Sequence, residues 1–270
     1  MILGTELRRG ALEVLRLCDP AEKARETLAL AQAQRDDTTL DPGWVGPAEL
    51  AWPGRPARPI LVPADQVPRR SPFTLAGRAA LLHAICHIEF NAINLALDAL
   101  WRFPNLPPAY YRDWLQVADE EAQHFELLRE HLLSLGHDYG DFDAHDGLWT
   151  MARSTAGDVV ARMALVPRTL EARGLDATPP LQAKLQRAGD HRAVAILDRI
   201  LHDEVGHVRI GNHWYHWLCE RDGLDPLAHY VALVDRHAAP RLRGPLNDVA
   251  RAAAGFTPAE LAWLAADLSR

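Results

Sequence analysis

Disulfide frameworks and thiolate metal sites need paired cysteines, and this chain has three, Cys18, Cys86 and Cys219, far apart and forming no CxxC pair. That argues against a disulfide scaffold or a structural zinc site and fits a reducing compartment. Long apolar runs are missing as well. No uninterrupted stretch reaches the roughly 18 residues that would suggest a membrane span. The N-terminal "MILGTELRRGALEVLRL" has neither a basic n-region nor a long apolar run, so no secretory signal is read and a cytoplasmic place is expected. Positive charge is not in excess. With 29 Lys and Arg against 36 Asp and Glu, the formal charge of −7 gives no general attraction to nucleic acid or anionic membrane. Strand-like alternation is absent throughout.

What remains is helical patterning in a chain of 270 residues, 48% of them apolar and 24% charged, the balance of a globular protein with room for a real core. Thr5 and Asp19 are read as N-caps of short helices near 6–18 and 20–35. The proline-rich "DPGWVGPAELAWPGRPARPILVPADQVPRRSP" is expected to pack over a surface. Ser71 and Pro72 then open a long helix as N-cap and N1, continuing to about Phe103. A second long helix ends at Gly136, read as a C′ glycine. After a connection of about 18 residues, a third helix runs from near Thr155 to Gly174, and a short helix covers 180–188. The fourth long helix spans about Asp190 to Glu220. Near the end, "TPAE" fits a capping box between Thr257 and Glu260.

Four long helices with one long central connection predict an all-α helix bundle. The expected segments are 1–70 packed on the bundle, 71–222 as the bundle and 223–270 as a C-terminal helical extension, within one compact domain.

Two Glu-x-x-His motifs occur, Glu121/His124 and Glu204/His207. Chance on this composition supplies roughly 0.7 such pairs, so the motifs alone decide little. Their register adds weight. Glu89 lies 32 residues before Glu121 and Glu171 lies 33 before Glu204, each the only glutamate of its helix. Both halves of the chain therefore repeat one pattern of Glu followed by Glu-x-x-His. An antiparallel hairpin would level Glu89 with Glu121. Glu171 and Glu204 match only if the third helix extends past a break near Gly174.

Residues three apart share a helix face, so each motif offers an oxygen and a nitrogen together. Four carboxylates and two imidazoles suit two divalent first-row ions, iron or manganese rather than a thiolate-preferring metal. The expected ligands are Glu89, Glu121, His124, Glu171, Glu204 and His207. Glu120 and Asp203, each four residues before a histidine, are candidates to support the ligands from behind.

This layout resembles the ferritin-like di-iron carboxylate superfamily, in which two helices each give a Glu and two each give Glu-x-x-His. Within it, "HxEFNAINLALDALWRF", "DEEAQHF", "HDGLW", "EARGLD" and "DEVGHVRIGNHW" are similar to a bacterial ferritin-like family known as a domain of unknown function. The hypermodified-tRNA hydroxylase, a di-iron monooxygenase, is a more distant resemblance. The closer likeness covers about 70–260 and carries the same six ligands over. It implies two iron ions, with manganese or a mixed pair as the alternative.

The function expected is an O2-dependent oxidase or hydroxylase of a small molecule, with an external electron donor, as a monomer or small homo-oligomer. The alternatives are a ferroxidase or iron- and manganese-handling protein, and a tRNA-modifying hydroxylase. Nucleic acid is not favoured, because phosphate binding needs a basic stripe.

Other residues read as ordinary packing or surface. His83 is expected to meet solvent or a core carbonyl, and His87 to face away from Glu89. His202, His213 and His216 are read as packing or surface, and His145 and Asp146 as turn and cap residues with Trp149 as an anchor. Tyr110 and Tyr111 stand too far from the ligands for a radical role. Arg55, Arg58, Arg69, Arg70, Arg236, Arg241 and Arg243 are either solvated or the lining of an entrance for an anion.

Overall fold

The computed structural model describes residues 6–35, 39–47, 52–68, 70–242 and 244–268. The described residues are organised in helices without a β-strand; Leu61 and Ala144 make an isolated parallel bridge. The chain packs as two units, Met1–Gly147 and Leu148–Arg270.

The first unit holds α1 (Leu7–Leu15), α2 (Pro20–Arg35), α3 (Leu75–Arg102) and α4 (Pro108–Ser134). Thr5 lies outside the described residues; α1 is capped by Glu6, whose carboxylate accepts from the N–H groups of Arg8 and Arg9. Asp19 caps α2 by accepting from the Glu22 N–H at 2.7 Å. α3 starts later than the Ser71-Pro72 reading. Thr74, in extended backbone, takes the Gly77 N–H, while the Thr74 hydroxyl donates back to the Ser71 carbonyl. Ser71 thus belongs to the entering turn and Thr74 satisfies the orphan donor. α4 opens on Pro108 as its first residue. It ends as expected: Gly136 has φ +80°, and His137 N–H reaches the Leu132 carbonyl at 3.1 Å.

From Glu89 to Trp101 every residue of α3 is buried. α3 is also long and apolar enough to cross a membrane by length and composition, with a window of mean hydropathy 1.3, but 78% of that window is buried in the fold. A helix apolar all round is what a core element requires.

Two buried cations fasten this unit. Arg8 donates to the carbonyls of Leu100 and Trp101, in the last turn of α3, and to those of Asp41, Pro42 and Trp44. Lys23 Nζ donates to Asn94 Oδ1 at 2.6 Å and to the Gly54 carbonyl at 2.8 Å, over the ring of Phe90. The proline-rich segment is therefore tied down. Arg55 also pairs with Asp146 at 2.6 Å, and Val62 and Ile60 exchange backbone bonds with Ala144. Arg69 and Arg243 lie outside the described residues.

The second unit carries α5 (Gly147–Ser154), α6 (Val159–Leu165), a π-helical segment (Val166–Glu171), α7 (Arg173–Arg187), α8 (His191–Asp222), α9 (Pro226–Arg236), α10 (Asp248–Ala253) and α11 (Pro258–Asp267). Three readings are corrected here. The central connection is shorter than 18 residues, because α5 occupies its second half. The third helix starts after Asp158, which caps α6, rather than at Thr155. It does not end at Gly174: the π segment and α7 carry it on to Arg187, with Pro179 and Pro180 inside α7. α8 starts where expected, and Asp190 caps it by accepting from Ala193 N–H. The Thr257–Glu260 capping box is formed on α11.

Candidate metal centre

In the first unit, Glu89 lies thirteen residues before Arg102 and Glu121 thirteen after Pro108. At 1.5 Å per residue both stand roughly 20 Å from the hairpin turn, so the antiparallel pair brings them level. His124, one turn beyond Glu121, has its Nδ1 3.2 Å from Glu89 Oε2 and 3.4 Å from Glu121 Oε2. One donor atom from each of the three lies within 4.8 Å of the others. All three side chains are buried. Burial, and next the charge of Glu121, push the Glu89 carboxyl well above the usual carboxylate range, against the opposing hydrogen bond from His124.

A single Nδ1 proton facing two carboxylate oxygens satisfies one of them well. A cation in its place neutralises both acids and accepts the imidazole lone pair, so this donor set fits a hard or borderline divalent ion. Phe90 and Phe125, each next to one of these residues in sequence, pack together with ring centroids 5.6 Å apart, and Cys86 is buried against the Phe125 carbonyl.

In the second unit, Glu204 and His207 are buried one turn apart on α8, with His207 Nδ1 3.7 Å from Glu204 Oε1. Glu204 lies thirteen residues into α8. Glu171 closes the π segment, half-buried, sixteen residues before the end of α7. The third helix does extend through Gly174, leaving Glu171 sixteen residues from the end of α7 and Glu204 thirteen from the start of α8. π turns within helices are frequent at functional sites. Here the turn is marked by the Ala172 N–H bonding the Pro167 carbonyl at 3.1 Å. Glu120 accepts from Gln116 at 3.1 Å, and Asp203 pairs with Arg199 at 3.6 Å; both acids are half-buried.

Other polar residues of each unit make interactions that the sequence did not predict. Arg168, on the π segment, is buried, pairs with Glu260 Oε1 at 2.6 Å and donates to Asn212 Oδ1 at 2.7 Å. The rings of Tyr215, Tyr230 and Phe256 enclose its guanidinium at 4.7–5.1 Å. A cation within an otherwise apolar "MALVPRTL" stretch was the available signal. In the first unit, Tyr139 reaches His87 Nδ1 at 2.8 Å, and His87 Nε2 stands 3.1 Å from the His145 carbonyl. His83 accepts the Gly140 N–H rather than meeting solvent or a carbonyl. Burial holds His87 at about 3 and His83 at about 4, so both stay neutral and fasten the crossover to α3. Tyr110 and Tyr111 are core residues whose hydroxyls bond the Ala99 and Phe103 carbonyls. Trp149 is buried, as an anchor would be.

Among proteins of known sequence, a Haemophilus influenzae protein described as "Uncharacterized protein" is 54% identical over 216 residues, covering 77% of this chain and 75% of the relative. No solved structure matches. A family described as "Protein of unknown function (DUF455)" matches residues 16–262, a span that includes all six expected ligands, and the chain belongs to that family.

Proposed function

We propose that the chain is a ferritin-like dinuclear metal carboxylate protein, with iron as its metal, that uses O2 to oxidise a small organic substrate. Glu89, Glu121 and His124 are the ligands of one half, and Glu171, Glu204 and His207 those of the other. The observation that carries this reading is the buried Glu89–Glu121–His124 group, in which two carboxylates face one imidazole with Glu89's carboxyl pushed upward. Such a group is costly without a cation, because buried like charges repel and each loses its hydration.

When bound, a pair of reduced irons supplies the electrons and open coordination positions that O2 activation requires. The chain's own residues set the conditions. α3 and α4 hold three donors on rigid helices, and the adjacent Phe90 and Phe125 are buried and packed on each other. His87 and His83, kept neutral, add no positive charge to compete with a metal. Manganese or a mixed pair fits the same donors, since both prefer oxygen and imidazole nitrogen.

The test is metal analysis of the full-length chain purified without chelator and reloaded anaerobically with Fe(II). About two equivalents per chain, lost in Glu121→Gln, and O2 consumption on exposure to air are expected. Below roughly half an equivalent the metal reading fails. Growth of Fe(III) in a large assembly, in place of substrate oxidation, would assign the chain to iron handling instead.

A further inference from the structure

A helix that takes in one extra residue as a π turn rotates everything beyond it by about 100° relative to an uninterrupted α-helix. The π segment Val166–Glu171 has Glu171 as its last residue, so the direction of that carboxylate depends on the turn staying wide. A lone π turn is rare and needs outside support. Three separate elements of the second unit provide it. From α8, Asn212 accepts from Arg168, and the backbone at Gly211 approaches so closely that an added Cβ would lie 2.5 Å from Pro167 Cβ. From α9, the Tyr230 hydroxyl meets Thr169 Oγ1 at 2.9 Å. From α11, Glu260 pairs with Arg168 while its second oxygen is committed to the Thr257 capping box. Within the segment, the Thr169 hydroxyl donates to the Ala164 carbonyl five residues back, at 2.8 Å.

We infer that Arg168 is a positioning residue: clamped by Glu260 of the C-terminal helix, it holds the π turn wide and so sets the direction in which Glu171 is presented. The inference rests on the metal reading of Glu171 given above. It assigns a task to the C-terminal helices, which supply none of the six expected ligands. The clamp is buried and aromatic-lined, so it resists salt and solvent that would loosen an exposed pair. Arg168 itself touches no ligand in this scheme. Its effect passes through the backbone of the turn.

The experiment uses the full chain and Co(II) alone as probe, with Arg168→Lys, Thr169→Val and, as the ligand control, Glu171→Gln. Thr169→Val removes a hydroxyl at nearly constant volume, and it carries the test should Arg168→Lys not fold. In folded variants, amide exchange across 166–173 should accelerate about tenfold or more without change in α4. Bound Co(II) should fall from about two equivalents toward one, and the visible spectrum of the metal that remains should shift toward that of Glu171→Gln. A merely structural role would lower the melting temperature and leave that spectrum alone. Folded Thr169→Val with wild-type exchange, stoichiometry and spectrum overturns this inference while the metal reading stands. A wild-type chain that takes up no Co(II) or Fe(II) overturns both.

Discussion

The guanidinium of Arg8, near the start of the chain, donates to the carbonyl oxygen of Trp101 at 2.6 Å, closing the last turn of α3 from a distance of ninety-three residues. The carbonyls at a helix C-terminus have no partner within the helix. Arg8 satisfies two of them, and three more in the 41–44 loop, with one buried side chain. Arg8→Met leaves these acceptors without that donor and should cost about 3 kcal/mol or more. Urea unfolding checks it; a loss below about 1 kcal/mol would show that water replaces the guanidinium.

Glu89→Gln separates stability from metal binding. The buried carboxyl is pushed above its ordinary 4.5, so at neutral pH its charged form opposes folding. The amide removes that cost. The metal-free variant should be more stable than wild type by about 1 kcal/mol at pH 7, and bind metal less well. The sign follows from linkage: a raised acid penalises folding only above its unfolded value. The advantage should shrink toward zero below about pH 4.5, as thermal melts at several pH values would reveal.

Glu260 behaves oppositely. Burial alone would raise its carboxyl, but the His216 hydrogen bond and the Arg168 charge outweigh it and hold the group at about 2. A depressed acid adds stability that is complete above its unfolded value near 4.5 and is lost as pH falls toward 2. The stability difference between wild type and Glu260→Gln should therefore be constant above pH 5 and close through that window. A difference independent of pH would assign the role of Glu260 to packing.

Lys23 gives a third profile. Burial, and then the charge of Arg55, lower its ammonium from 10.5 to about 7. The charged form is thus the one the fold disfavours. Relative to Lys23→Met, the stability of the wild type should rise as pH increases from about 7 toward 10.5 and be flat below 7. Denaturant midpoints across that range test the direction.

Gly211→Ala should be costly although alanine favours helices. The new methyl would stand 2.5 Å from Pro167 Cβ and 2.7 Å from its Cγ, atoms of a ring that cannot rotate away. A loss of about 1–3 kcal/mol is expected from overpacking. Gly206→Ala, on the same helix and in open surroundings apart from Arg209's guanidinium at 4.0 Å, is the control and should be neutral or stabilising.

Much of this was legible from periodicity alone. Long apolar helices, the start of the fourth near Asp190, the C′ glycine at Gly136 and the Thr257 capping box follow from local rules that hold wherever neighbours agree. The convergence of Glu89, Glu121 and His124 was legible because a tight hairpin turns residue counting into distance. The third helix was not. Gly174, Pro179 and Pro180 are local breakers, and packing on α8 overrode them. The π turn depends on Arg168, Thr169 and residues 44 to 92 positions away, which no local pattern encodes. Arg8 and Lys23 were missed for the same reason, since a buried cation is recognisable only once its acceptors are assembled. The Ser71 cap failed narrowly, to a threonine three residues on.

The thirteen-residue offsets of Glu89 and Glu121 have a consequence for which length changes this protein tolerates. The turn between α3 and α4 can gain or lose residues without altering either offset, since both are counted along the helices themselves. A single insertion between Glu89 and Arg102 would instead slide one carboxylate by about 1.5 Å and swing it out of line. Natural and engineered relatives that keep the centre should therefore vary at the hairpin tip and keep an unvarying residue count along both arms.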